Sequence, residues 1–309
     1  MSNPIADGVW PTMLTPFHEN KIDLGSLQEL VEWYIRNGVN GLFAVCQSSE
    51  MFFLSLEERA ALARKVVQYA GGRVPVIASA IFVDQIDDHI DEIKQLADTG
   101  IEGCVLITNR YQDESDPGDD RFKRTVERIL REVPDIAFGL YECPYPYKRL
   151  VTPELLRWCA DSGRFLFLKD TCCDLSQIKA KIDAVKGTKL KIYNANSATL
   201  LESLKLGAAG FSGVMANFHP DLYAWLMANW RNEREKAERL QHFLGIASMI
   251  EWQCYPVNAK YYLQLEGLGL STQSRVRSDK DFGATDQLLV KQLKAMSDQF
   301  RKEFCLARV

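Results

Sequence analysis

Lys169 closes the apolar run Phe165-Leu166-Phe167-Leu168. An ammonium at the end of such a run is costly unless chemistry uses it, because burial disfavours the charged form and lowers the pKa of the amine. A neutral lysine amine is a nucleophile, and with a ketone carbonyl it forms a Schiff base. Upstream, the strand-like segment Ile136-Ala137-Phe138-Gly139-Leu140 ends in Tyr141, which places a phenol at the carboxyl end of a neighbouring strand. The two residue types together suit Schiff-base formation with proton transfer. Each also has a plain structural reading: a lysine extending its ammonium to water, and a core ring with a bonded hydroxyl.

The elements that carry this pair separate the two readings. Apolar runs of strand length alternate with amphipathic stretches of helix length, the pattern of a parallel sheet with crossover helices. Eight strands are predicted: Gly8 to Met13, Gly41 to Cys46, Val74 to Ala78, Gly103 to Ile107, Ile136 to Tyr141, Phe165 to Lys169, Leu190 to Tyr193 and Ala209 to Val214. Ser55-Leu56-Glu57-Glu58 fits a capping box, and Thr152-Pro153 fits an N-cap followed by proline. The polar segment from Arg110 to Asp119 is expected to be a long loop after the fourth strand. The α/β pattern predicts a (β/α)8 TIM barrel, whose active sites lie at the carboxyl ends of the strands. Lys169, Tyr141 and the turn Cys46 to Glu50 all fall on that face. Beyond His219-Pro220 the alternation gives way to helix upon helix. The division expected is a barrel over residues 1–230 and a C-terminal helical extension over 231–309, packed on it.

Composition narrows the partners. The 309 residues are 47% hydrophobic with a net charge of −4, enough to bury a full core and giving no basic field for a polyanion. Nucleic acid is not an expected partner. The segment Met1 to Asp7 has no basic stretch followed by an apolar core, and no run approaches the roughly 20 apolar residues of a membrane span. A cytoplasmic protein is expected. Cys46, Cys104 and Cys143 lie in or just after predicted core strands and no C-x-x-C pair occurs, so the eight cysteines read as reduced thiols. The adjacent Cys172 and Cys173 lie near Lys169, but His18, His89, His219 and His242 are scattered, and no metal site is expected.

A set of segments along nearly the whole chain carries a resemblance: Gly8-Val9 to Thr15-Pro16-Phe17, Gly38-Val39-Asn40-Gly41-Leu42, Glu50 with Leu54-Ser55-Leu56-Glu57-Glu58-Arg59, Tyr141 to Pro144, Lys169-Asp170, and Leu206-Gly207-Ala208-Ala209-Gly210 with Ala216-Asn217. In these the chain resembles the dihydrodipicolinate synthase and N-acetylneuraminate lyase family of class I, pyruvate-type aldolases and lyases. The resemblance implies that Lys169 forms a Schiff base with a 2-oxo acid such as pyruvate and that Tyr141 shuttles protons. The covalent adduct is then the electron sink, with no metal or organic cofactor. It also implies a homotetramer built from tight dimers.

Departures from the family pattern bear on the substrate. The family's Gly-Thr-Thr-Gly-Glu turn reads Cys46-Gln47-Ser48-Ser49-Glu50. Ser48, with the backbone N–H groups of Ser48 and Ser49, is expected to hold the keto-acid carboxylate. Gln47 stands where the synthases carry the first threonine of a proton relay, and Tyr111 matches the relay tyrosine that an adjacent subunit contributes. Pro146 occupies the position of the arginine that binds aspartate semialdehyde in the synthases, although Lys148 or Arg149 could reach in; Glu142 replaces an asparagine. After strand seven, Tyr193-Asn194-Ala195-Asn196-Ser197 lacks the acidic pair of the sialic acid lyases, leaving Asn196 and Ser197 to bind hydroxyls; Ser212, in strand eight, joins the expected substrate contacts. The best fit is an aldolase or dehydratase of a 2-keto-3-deoxy sugar acid. The alternatives are 4-hydroxy-tetrahydrodipicolinate synthase itself and a non-catalytic keto-acid sensor.

Overall fold

The computed structural model describes residues 5–81, 85–111, 114–115 and 118–306. Its parallel strands are β1 (Gly8–Val9), β2 (Leu42–Val45), β3 (Val76–Ala80), β4 (Gly103–Ile107), β5 (Ala137–Tyr141), β6 (Phe165–Asp170), β7 (Lys191–Asn194) and β8 (Gly210–Phe211). From β2 to β8 each pairs with the next in chain order, and β8 pairs back to β1. Closure between β1 and β2 is carried by a parallel bridge from Thr12 to Phe43 and by the N–H groups of Phe43 and Met13, which donate to Pro11 and Phe43 carbonyls at 3.1 and 3.0 Å. The architecture is the expected (β/α)8 barrel.

Proline explains where strand boundaries depart from the sequence reading. β1 stops at Val9 rather than reaching Met13, because Pro11 has no N–H for the ladder. β3 starts at Val76, after Pro75, and runs two residues further than expected. Between strands lie α1 (Leu24–Arg36), α2 (Leu56–Ala70), α3 (Ile86–Ala97), α4 (Asp120–Glu132), α5 (Pro153–Asp161), α6 (Leu175–Ala184) and α7 (Leu200–Leu206), with α8 (Pro220–Asn229) after β8. The predicted starts are present: Ser55 and Glu58 exchange bonds at 3.0 and 3.2 Å, and Thr152 Oγ1 accepts the Leu155 N–H at 3.1 Å ahead of Pro153. In the loop after β4, a tight turn covers Thr108–Arg110; Gln112, Asp113, Asp116 and Pro117 of that expected loop lie outside the described residues.

The interior below the catalytic face is aromatic. Phe167, two residues before Lys169 and so on the same side of β6, stacks on Tyr193 at 4.6 Å and meets Phe43 at 6.1 Å and Trp10 at 5.7 Å. Gly139 makes room for it, since a Cβ there would meet Phe167 and Val105 at 3.2 Å. Past α8 come α9 (Arg234–Ala247), α10 (Val257–Leu265) and α11 (Ala284–Glu303). Arg301 of α11 anchors this extension to α8 through bonds of 2.6 and 3.0 Å to the Asp221 carboxylate. No described helix is long and apolar enough to cross a membrane.

Candidate active site

Register places the reactive pair side by side: Tyr141 at the end of β5 pairs with Lys169 near the end of β6. The two point inward because residues of one parity share a strand face. The Lys169 Nζ lies 4.4 Å from the centroid of the Tyr141 ring, and only 4% of the residue is exposed. Burial moves its pKa below the ordinary lysine range, so the nucleophilic amine is more available than on a free lysine. The same burial, reinforced by the nearby Cys143 and Cys46 thiols, pushes the Tyr141 phenol well above its usual range. Its hydroxyl donates to Gln47 Oε1 at 3.3 Å. The pair opens into a cavity of ≈370 Å³ also lined by Gln47, Ser48, Tyr255 and Val276.

The turn after β2 presents Ser48 but not Ser49. Ser48 Oγ is 3.1 Å from Thr12 Oγ1, at the cavity wall. The Ser49 hydroxyl instead closes its own turn, donating to the Cys46 carbonyl at 2.7 Å and accepting the Cys46 N–H at 2.9 Å. Its backbone N–H is bonded to Cys46 O at 3.1 Å as well. The expected substrate contact from Ser49 is therefore corrected: both of its donors are consumed by the tight turn. Glu50, in the left-handed region at φ 63, also lines the cavity, with its carboxylate committed to the helical extension. It pairs with Lys260 Nζ at 2.9 Å and accepts the Arg275 and Val276 N–H groups at 2.5 and 3.1 Å. This pins the segment carrying Val276 over the mouth.

Other expected residues lie elsewhere. Tyr111 is buried in the helix layer outside the barrel, its hydroxyl 2.6 Å from His89 Nε2 on α3 and its ring edge-on to Phe122 of α4 at 5.4 Å. It does not reach the cavity, because the turn after β4 directs the phenol between α3 and α4. Asn196 caps the turn before α7, its Oδ1 accepting the Thr199 N–H at 3.0 Å. Ser197 Oγ is 2.7 Å from the Tyr223 hydroxyl. Ser212 is fully buried, and its Oγ has no hydrogen-bond partner among the described residues. Neither Asn196 nor Ser212 lines the cavity with Lys169. Lys148 and Arg149 are engaged away from it, with the Thr171 carbonyl at 2.9 Å and with Asp119 at 2.6 Å.

The sequence reading missed two arrangements. Glu142 and Asp170, the residues after Tyr141 and Lys169, face outward and share the buried Lys181 ammonium of α6 at 2.5 and 2.6 Å. Burial and Asp170 push the Glu142 carboxyl up from its ordinary range. The second group belongs to the extension, read from sequence as an appendage: Tyr255, Pro256 and Val276 line the cavity. Pro256 beside an aromatic was the only local signal, and nothing in it pointed to the barrel mouth. Nearby, Glu251 has its carboxyl pushed by burial up to about 7, against the pull of Lys169. A raised carboxyl pKa stabilises the fold at low pH, and that contribution is lost as pH rises from the ordinary 4.5 through about 7. Glu251→Gln should accordingly flatten the fall in thermal midpoint over that window; an unchanged slope would show that Glu251 is not its source.

Thiolate chemistry is disfavoured at Cys172. The Cys172 thiol is pushed up to about 12, first by burial and then by Asp170, which disfavours the reactive thiolate. No group of three His, Cys, Asp or Glu among the described residues is arranged to hold a metal ion.

The model of the dihydrodipicolinate synthetase family matches residues 6–278. The chain belongs to that family. Two curated relatives bear the name 4-hydroxy-tetrahydrodipicolinate synthase: one from Methanococcus maripaludis is 27% identical over 69% of this chain and 71% of its own length. The other, from Clostridium perfringens, is 28% identical over 68% and 70%. Among solved structures, YagE, a prophage protein of the dihydrodipicolinic acid synthase family from E. coli K12 solved with pyruvate, is 25% identical with a TM-score of 0.83, covering 96% of this chain and 98% of its own. As a family member the chain is a metal-independent class I lyase, forming Schiff bases with 2-oxo acids.

Proposed function

We propose that Lys169 is the Schiff-base lysine, attacking C2 of a 2-oxo acid whose carboxylate is held by Ser48, while Tyr141 transfers protons at the bound substrate. The observation that carries this reading is the buried Lys169 amine 4.4 Å from the Tyr141 ring centroid, in a cavity that Ser48 also lines. The iminium accepts the electron pair that develops at C3 when the C3–C4 bond breaks, so the chain's own amine performs the role a metal or organic cofactor would otherwise play. The substrate we favour is a 2-keto-3-deoxy sugar acid, cleaved or dehydrated. The cavity of ≈370 Å³ falls in the range of about 300–1,000 Å³ that encloses drug-sized molecules, leaving space beyond a pyruvyl group. The synthase reaction named for the two relatives is the runner-up. Against it stands Pro146, exposed and without a donor, with Lys148 and Arg149 engaged elsewhere. A homotetrameric, cytoplasmic enzyme, with residues 1–230 and 231–309 acting as one catalytic unit, completes the proposal.

Incubation with pyruvate and borohydride, followed by peptide mass spectrometry, is expected to place the reduced adduct on Lys169. An adduct on another lysine, or none, would sink the assignment. A panel of 2-oxo sugar acids then separates aldolase from dehydratase.

A further inference from the structure

Tyr141 has a proton to give but a poor route for its return. Its hydroxyl donates to Gln47 Oε1, and an amide oxygen accepts hydrogen bonds without supplying a proton. Tyr111, at the other relay position, is buried between α3 and α4. A second phenol stands inside the cavity. Tyr255 lines it with Lys169, Tyr141 and Ser48, and its oxygen accepts the Asn217 Nδ2–H at 3.0 Å. Asn217 is fixed in turn, Nδ2 also donating to the Thr12 carbonyl at 2.8 Å and Oδ1 accepting the Tyr34 hydroxyl. Held by Asn217, the Tyr255 phenol stands at the cavity wall that Ser48 also lines, where a bound substrate meets it.

We propose that Tyr255, supplied by the helical extension of the same chain, is a second acid–base residue of the reaction, expelling water from C2 and taking the proton from C3. This rests on Lys169 being the Schiff-base lysine. Nζ adds to C2, the carbonyl π pair moves to the C2 oxygen, and the proton shed by nitrogen reaches that oxygen. Tyr255 then gives its phenolic proton to the C2 hydroxyl; the C–O pair leaves with water as the nitrogen lone pair closes the iminium. The phenolate left behind faces that new cation, which offsets the cost of a buried negative charge. It removes a C3 proton, the C–H pair becomes the enamine double bond, the C=N pair returns to nitrogen, and the phenol is restored. No oxidant, reductant or further reactant enters.

The test uses pyruvate alone, in deuterium oxide, following loss of its methyl protons by NMR beside borohydride trapping. Tyr255→Phe keeps the ring and removes the hydroxyl. Its exchange rate is expected to fall by about 10²-fold or more, with the half-saturating pyruvate concentration moved by less than about threefold. Exchange within about threefold of the parent enzyme would overturn the role. Tyr255→3-fluorotyrosine provides an isosteric, more acidic phenol should the first variant not fold. The groups around it are Cys46, Tyr34, Ser48 and Glu251, together with Tyr141, and all are left unaltered. The alkaline limb of the exchange–pH profile should move to lower pH, and a limb that stays in place overturns the role. A parent enzyme without an adduct on Lys169 brings down the Schiff-base reading itself, whereas an intact adduct with unaffected exchange brings down Tyr255 alone.

Discussion

Lys169→Ala is expected to abolish borohydride trapping of pyruvate and to lower kcat/KM by about 10⁴-fold or more, because no second amine shares its position relative to Tyr141. Lys260, also buried, is committed to Glu50 at 2.9 Å and to the Gln273 carbonyl at 2.5 Å. Lys181 is bound to two carboxylates. Among the described residues, Lys169 Nζ makes neither an ion pair nor a hydrogen bond; it lies against the Tyr141 ring and feels Cys46, Cys143 and Glu251 only electrostatically. The variant should therefore fold at least as stably as the parent, since it removes a desolvated amine that has no hydrogen-bond or ion-pair partner among the described residues. Thermal unfolding monitored beside the activity assay tests both halves. Turnover that persists in a well-folded Lys169→Ala enzyme would require another nucleophile.

Lys181→Met is expected to cost about 3–5 kcal/mol of stability, because it leaves two buried carboxylates facing each other without their cation. Lys181, Glu142 and Asp170 are all nearly fully buried, with side-chain exposures of 2%, 0% and 0%. Glu142 also accepts the Val151 and Thr171 N–H groups at 2.8 and 2.9 Å, tying the end of β5 to the loop after β6. Since Glu142 follows Tyr141 and Asp170 follows Lys169, one ammonium fixes the backbone beneath both reacting side chains. A drop in kcat should thus accompany the loss of stability. In the variant at least one carboxyl has a raised folded-state pKa, so stability is retained below its unfolded pKa and lost as pH rises. Urea unfolding should show a smaller deficit at pH 5 than at pH 7; a deficit equal at both would show that unpaired charge is not the cause.

The barrel and its reacting pair were legible because both rest on local information. Strand-length apolar runs set the period, and Lys169 and Tyr141 stand where those runs end, so register alone brings them together once adjacent strands pair. The Ser48 position was legible for the same reason, through the turn that follows β2. Ser49 was misread because a hydroxyl and an N–H look available in sequence, while the tight turn uses both on Cys46. Where Tyr111 lies was not legible, because which way a loop carries a side chain depends on the packing of α3 and α4, not on its distance from a strand end.

By itself the sequence determined the alternating strands and helices, the eight-stranded barrel they form, and the adjacency of Lys169 and Tyr141 at its carboxyl face, all consequences of side-chain period and strand order. Only the tertiary structure decided what surrounds that lysine. Tyr255 and Val276 are separated from Lys169 by many tens of residues, yet the Glu50 clamp and the Arg301–Asp221 pair bring the extension over the mouth. Lys181 finds Glu142 and Asp170 only because α6 packs back onto the barrel beside β7, within reach of the ends of β5 and β6. Such meetings depend on long-range burial, whose energy is collective and leaves no periodic mark on the residues that take part.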